Sequence, residues 1–255
     1  MHTVVVLAAG LSRRFGRFKQ LEGLGQRGKT LWEYSLQGAR EAGLSRVSLG
    51  LRPGFKEAFE SSIRPRLSDW LDVKAVYQDP EDWPVGLLPP FMRPQPWGTA
   101  HAAWAARKAI DGPFVLINAD DFYAAEGFRT LADCFRSTPP PSGGLFALVA
   151  YPLGGTLSGQ GPVSRAVCRL KPADKNFLEC IEEFTEIQGH PSGEIGGLSP
   201  SGQRVLLQAQ APVSVNFWAF DPLLFDGIAQ GFADFRFQLE QNPGAEYFLP
   251  AVVNR

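Results

Sequence analysis

Residues Val4-Val5-Val6-Leu7 run directly into Ala8-Ala9-Gly10-Leu11-Ser12-Arg13-Arg14-Phe15-Gly16-Arg17-Phe18-Lys19-Gln20. Four consecutive apolar residues, three of them β-branched, are the pattern of a strand covered on both faces, as strands are in a parallel sheet. Small residues placed just after such a strand let backbone N–H groups approach an anion closely. Arg14 adds a planar fork matched to phosphate, and Lys19 adds a compact charge. Open α/β sheets gather their ligands beyond the carboxyl ends of their strands, so a triphosphate would sit at this loop. A solvated basic loop would have the same composition. The stretch is neither a Walker loop nor a dinucleotide fingerprint, because GxxxxGK[ST] and GxGxxG are both absent.

Outward from this strand the chain alternates. Thr30 to Ala42 reads as a helix stopped by Gly43, Val47 to Leu51 as a strand, and Phe55 to Leu67 as a helix. Val73 to Tyr77 is a third strand, Ala100 to Ile110 a helix, and Phe114 to Ile117 a fourth strand. Strands alternating with helices of this length predict a doubly wound, mixed but mostly parallel sheet with helices on both faces. The later part reads differently. Leu145 to Tyr151, Ser164 to Leu170, Phe177 to Ile181 and Val213 to Phe220 read as strands, Gly189 to Gly202 as a surface excursion, and Pro222 to Gln230 as a helix. The expected organisation is one domain over 1–255, with a nucleotide half to about residue 140 and an acceptor half from about 141.

Composition narrows the function classes. The 255 residues carry 25 Lys+Arg and 26 Asp+Glu, a net charge of −1, which excludes a general nucleic-acid binder. Three cysteines, Cys134, Cys168 and Cys180, have no CxxC spacing and read as reduced thiols. No apolar run approaches the ~20 residues of a membrane span. No basic segment followed by a long apolar core opens the sequence, so a cytoplasmic, soluble protein is expected.

Two further segments complete a constellation. Pro96-Trp97-Gly98-Thr99-Ala100-His101-Ala102 precedes a helix, and Asn118-Ala119-Asp120-Asp121-Phe122-Tyr123 follows the fourth strand. Carboxylates at a strand end suit Mg²⁺, a hard cation that keeps waters and takes one or two protein carboxylates. The same two aspartates would also serve as caps for a following helix. In order and spacing, these segments and Leu7 to Leu21 resemble the sugar-phosphate nucleotidyltransferases, the NDP-sugar pyrophosphorylase-like family. The resemblance is good over about residues 3–125 and looser beyond.

That resemblance implies a Rossmann-like nucleotidyltransferase fold and a Mg²⁺ cofactor. Leu7, Ala8, Ala9 and Gly10 would line base and sugar, Arg14 and Lys19 would hold the phosphates, and Gly98 and Thr99 would border base and ribose. Arg93 stands where several relatives carry a base-reading Gln, with Gln78 and Gln95 as nearby substitutes. Asp120 would ligate the metal, joined by Asn216, while Asp121 would support it or cap the next helix. An Asn satisfied by strand-edge backbone is the plain alternative for Asn216. Glu183, or Glu182 one register away, would bind sugar hydroxyls, since only one of two successive strand residues can face the site. Arg165 would lie near the acceptor phosphate. His101 reads as structural, and the Pro-rich stretch from Trp83 to Trp97 is long enough for a lid.

The implied reaction is attack of a sugar 1-phosphate on the α-phosphorus of an NTP, giving an NDP-sugar and pyrophosphate. The implied partners are an NTP and a small phosphorylated acceptor. The alternatives are a cytidylyltransferase acting on another phosphomonoester or a pterin cofactor, and a nucleotide-sugar-binding protein that turns nothing over.

Overall fold

In a computed structural model of the chain, the described residues are 3–9, 28–93, 95–137, 144–190 and 193–255. Residues 10–27, on which the expectations for Gly10, Arg14 and Lys19 fall, lie outside them. Two compact units emerge: Met1–Ala147 with Phe217–Phe248, and Leu148–Asn216 with Leu249–Arg255.

The first unit is built on β1 (Thr3–Leu7), α1 (Leu31–Glu41), β2 (Arg46–Leu51), β3 (Asp72–Tyr77), α4 (Thr99–Ala106), β4 (Phe114–Asn118) and α5 (Ala125–Ser137). Its sheet runs β3-β2-β1-β4, then β12 (Trp218–Phe220) and β5 (Phe146–Leu148). The first four strands are mutually parallel, and β12 joins β4 antiparallel. Val4, Val5 and Val6 are wholly buried, as are Val115, Leu116 and Ile117, as the apolar runs predicted. Helix α1 packs with α5, and α4 with α6 (Leu224–Gln241). Thr30 caps α1: its hydroxyl accepts from the Glu33 amide while the Glu33 carboxylate accepts from the Thr30 N–H at 2.6 Å. Gly43 ends the helix at φ +88°, a conformation open to glycine without strain.

The helix expected over Phe55 to Leu67 is broken. A 3₁₀ turn (Pro53–Phe55) leads into α2 (Lys56–Ala58), a π turn (Phe59–Ile63) and α3 (Arg64–Ser68). Pro65 sits at the start of α3, where it offers no N–H to the preceding turn. Helix α6 outruns its expected end because Phe232, Phe235 and Leu239 continue the buried stripe.

The second unit is an antiparallel sheet in the order β10-β9-β8-β7-β11-β6. Its strands are β6 (Tyr151–Pro152), β7 (Val163–Lys171), β8 (Asp174–Gly189), β9 (Ile195–Leu198), β10 (Arg204–Leu207) and β11 (Pro212–Ser214). Helix α7 (Leu249–Val253) packs on β8. Leu153, Ile187, Ile195 and Val213 form the core. The expected surface excursion at Gly189 to Gly202 therefore contains a buried strand, β9, whose two glycines hid its pattern. Two expected strands are each divided between the sheets: Leu145–Tyr151 becomes β5 and β6, and Val213–Phe220 becomes β11 and β12. Asn216, at φ +59°, turns the chain between the latter pair.

Candidate functional site

The carboxyl ends of the four parallel strands lie side by side. Leu7 stands opposite Asn118 in the β1–β4 ladder, and the Ala119 N–H donates to the Leu7 carbonyl at 3.1 Å. On the other side the Ala8 N–H donates to Gly50 O at 2.9 Å, and the Gln78 N–H to Leu51 O at 2.8 Å. Ala8 and Ala9 are buried between these neighbours, which explains their small side chains. The basic loop and the acidic turn thus leave adjacent strands at one edge of the sheet.

In that turn the two aspartates have different surroundings. The Asp121 carboxylate accepts from Asn118 Nδ2 at 3.1 Å and from the Tyr123 hydroxyl at 3.4 Å. Burial, reinforced by Asp121, pushes the Tyr123 phenol well above its usual pKa, so it remains a donor. The Tyr123 N–H in turn donates to Ser35 Oγ at 3.0 Å. Helix α5 begins only at Ala125, so Asp121 supports the turn rather than capping the helix. Asp120 is exposed at the strand end. Among the described residues no three His, Cys, Asp or Glu side chains cluster as a metal site would require.

A pocket of about 240 Å³ opens beside the ends of β2 and β3, lined by Arg52, Gln78, Gln95, Trp97 and His101, with Pro53, Pro80 and Pro96. Arg52 Nε donates to the Ala9 carbonyl at 2.8 Å, tying the pocket to the first residues after β1. Gln78 Nε2 lies 2.9 Å from His101 Nδ1, both side chains being buried. Desolvation lowers the His101 pKa to about 4, so the ring is neutral. A larger groove of about 690 Å³ follows β3 from Val73 to Tyr77 and on to Asp79, Glu81 and Asp82.

Gly98 borders this pocket at φ +108°, and a Cβ there would lie 2.5 Å from the Tyr247 carbonyl oxygen. Around it the Tyr247 N–H donates to Trp97 O at 2.6 Å, and the Ala100 N–H to Tyr247 O at 2.9 Å. Thr99 opens α4 directly after it. The structure places Arg93 in a different role from its expected one. Its Nη1 donates to Pro243 O and its Nη2 to Pro96 O, each at 2.8 Å, and its guanidinium stacks 4.4 Å from the Trp97 ring. Arg236 Nε also donates to Leu88 O at 3.3 Å. The chain is thus fastened at Leu88, Arg93 and Pro96, and Gln78, at the strand end, lines the pocket.

In the second unit Glu183 stands opposite Ala166, which stands opposite Ser214. Residues directly opposite share a face, so Glu183 lies in the row of Ser214, whose Oγ accepts from the Asn216 N–H at 3.1 Å. Glu182 faces the other way and pairs with Arg169 at 3.3 Å. Arg165 pairs in register with Phe184, on the face opposite Glu183. Its Nη2 donates to Thr156 O at 2.7 Å and its Nη1 to Ser164 O at 2.8 Å. The structure therefore groups Glu183 with Asn216 and leaves Arg165 out of that row.

Arg52 and His101 were not expected at the site. Arg52 directly follows the apolar run Val47 to Leu51, and that position at a parallel strand's carboxyl end was the available signal.

Comparisons with known proteins bear on the fold. A search of curated proteins returned no match. The fold is similar to that of an inositol-1-phosphate CTP transferase from T. maritima, at 13% identity and a TM-score of 0.60, covering 100% of this chain and 80% of that one. It is similar to a UDP-glucose pyrophosphorylase complexed with UDP-glucose, at 13% and 0.57, covering 100% and 86%. It is also similar to a UDP-glucose pyrophosphorylase from Acinetobacter baumanii, at 16% and 0.51, covering 100% and 81%. Residues 4–86 match the family model of the MobA-like NTP transferase domain, and the whole chain shares the mixed α/β fold of these neighbours.

Proposed function

We propose that this protein is a nucleotidyltransferase that joins an NTP to a sugar 1-phosphate. An acceptor phosphate oxygen would attack the α-phosphorus, the bond to the β-phosphate oxygen would break, and pyrophosphate would leave. That oxygen is already anionic at neutral pH, so no protein nucleophile is required. The protein's task is in-line positioning and neutralisation of charge.

The observation that carries the reading is the pairing of Leu7 with Asn118, from which the basic loop and the acidic turn depart together. The 240 Å³ pocket beside them, with its amide side chains and Trp97, suits the base. Arg14 and Lys19 would hold the triphosphate, Ala8 to Gly10 and Thr99 would line the nucleoside, and Glu183 would orient the sugar. An exposed carboxylate at the end of a parallel strand, Asp120, is a hard oxygen ligand of the kind that suits Mg²⁺. When bound, the ion would neutralise phosphate charge as it develops on the leaving group. Asn216 as a further ligand rests on the sequence resemblance alone.

The test is pyrophosphate release over the common NTPs against a panel of phosphomonoesters that includes glucose 1-phosphate and inositol 1-phosphate. Mg²⁺-dependent release with a sugar 1-phosphate is expected, and Lys19→Ala should lower kcat/KM by about 10²-fold or more. Release only with a non-sugar acceptor would transfer the reading to another phosphomonoester. Tight NDP-sugar binding without any turnover would replace it with a binding protein.

A further inference from the structure

The buried contact between Gln78 and His101 makes a narrower statement possible, and it rests on the pocket being the base site. An amide nitrogen only donates hydrogen bonds. At 2.9 Å from Gln78 Nε2, His101 Nδ1 is therefore the acceptor, and the imidazole proton sits on Nε2. The ring is buried in edge contact with Phe232, and hydrogen bonding to the Asp82 backbone favours a proton on the ring nitrogen that Gln78 does not occupy. Turning the amide over would set Gln78 Oε1 against the Nδ1 lone pair, or would move the ring proton away from Asp82.

We propose that His101 is a positioning residue that holds Gln78 with its carbonyl oxygen toward the pocket, so that the nucleobase is selected by an N–H it donates to Gln78 Oε1. Arg52 supplies the opposite polarity. It only donates, its plane is fixed by Ala9 O, and its buried Nη2 has no acceptor among the described residues. Gln78 and Arg52 both line the pocket, so a base there would meet one group held as an acceptor and one that only donates. A site built this way rejects a ligand lacking the matching group, because its own polar atoms would then remain buried and unpaired.

The experiment measures equilibrium binding of the common NTPs, and of the preferred NTP methylated at its base N–H, to the intact protein and three variants. The wild type should favour one base, and methylation should weaken binding at least 10-fold. His101→Phe removes the acceptor and should shrink both the base preference and the methylation effect to about 3-fold or less. His101→Gln retains an acceptor and should restore much of both. Gln78→Met, which leaves His101 in place, should abolish both. Equal weakening of every nucleotide by His101→Phe would show a merely structural histidine and overturn the inference. A methylation effect that persists in Gln78→Met would overturn it as well. Wild-type binding with no base preference sinks this inference while leaving the nucleotidyltransferase reading intact. Failure of every NTP to bind sinks both.

Discussion

At the scale of single residues, His101 links stability to pH. Its pKa is lowered from 6.5 to about 4 by burial, outweighing the opposing pull of Asp82 and Asp79, while Arg107 lowers it further. Between those pH values the unfolded chain binds a proton that the folded chain refuses. Stability is therefore complete above about pH 6.5 and falls as the pH drops toward 4, by up to about 1.4 kcal/mol per unit for one proton. Denaturant unfolding at a series of pH values should show this slope, and His101→Gln should remove it. Legibility at this scale was uneven. The apolar strand and the acidic turn were plain because side-chain chemistry declares them. The Arg93 expectation came from counting back from Gly98. Counting along the chain does not show that Arg93 is held by Pro243 and Pro96, or that Gln78, far earlier in sequence, lines the pocket from the end of β3.

At the scale of elements, substitution at Asn216 separates a conformational load from the functional one proposed for it. It adopts φ +59° where β11 gives way to β12, a conformation that Asn tolerates better than most residues and Gly adopts freely. Asn216→Ala should cost about 1 kcal/mol of stability, read from the unfolding midpoint, whereas Asn216→Gly should be near neutral. If the side chain serves the acceptor, both variants should lose activity alike, which divides the functional load from the conformational one. The sequence showed Val213 to Phe220 as one apolar run because both halves are buried. Nothing in hydrophobic periodicity marks a change of sheet. The long β8 was under-read for a related reason: much of it is exposed, and exposed residues carry no apolar alternation.

At the scale of the whole molecule, the first unit depends on a distant segment. Phe217, Trp218, Phe220, Leu224, Ile228, Phe232, Phe235 and Leu239 are all buried within it. Each fully buried large side chain contributes roughly 1.5–3 kcal/mol, so together they match or exceed a typical net stability of about 5–15 kcal/mol. A fragment ending at Ala147 should therefore fail to fold, with no cooperative thermal transition by circular dichroism. The α/β class was legible because β1 to β4 and their helices are contiguous. The return of 217–248 to the first sheet was not, since sequence order does not record which strand neighbours which.

The clasp of Tyr247 around Gly98 adds a matter of timing. The Ala100 N–H at the start of α4 donates to the Tyr247 carbonyl, and Arg93 is fastened to Pro243, 150 positions later. During synthesis the wall that α4 gives the pocket stays unfinished until residues 243–247 have left the ribosome. Nucleotide binding should thus arise as one late event rather than grow with the nascent chain.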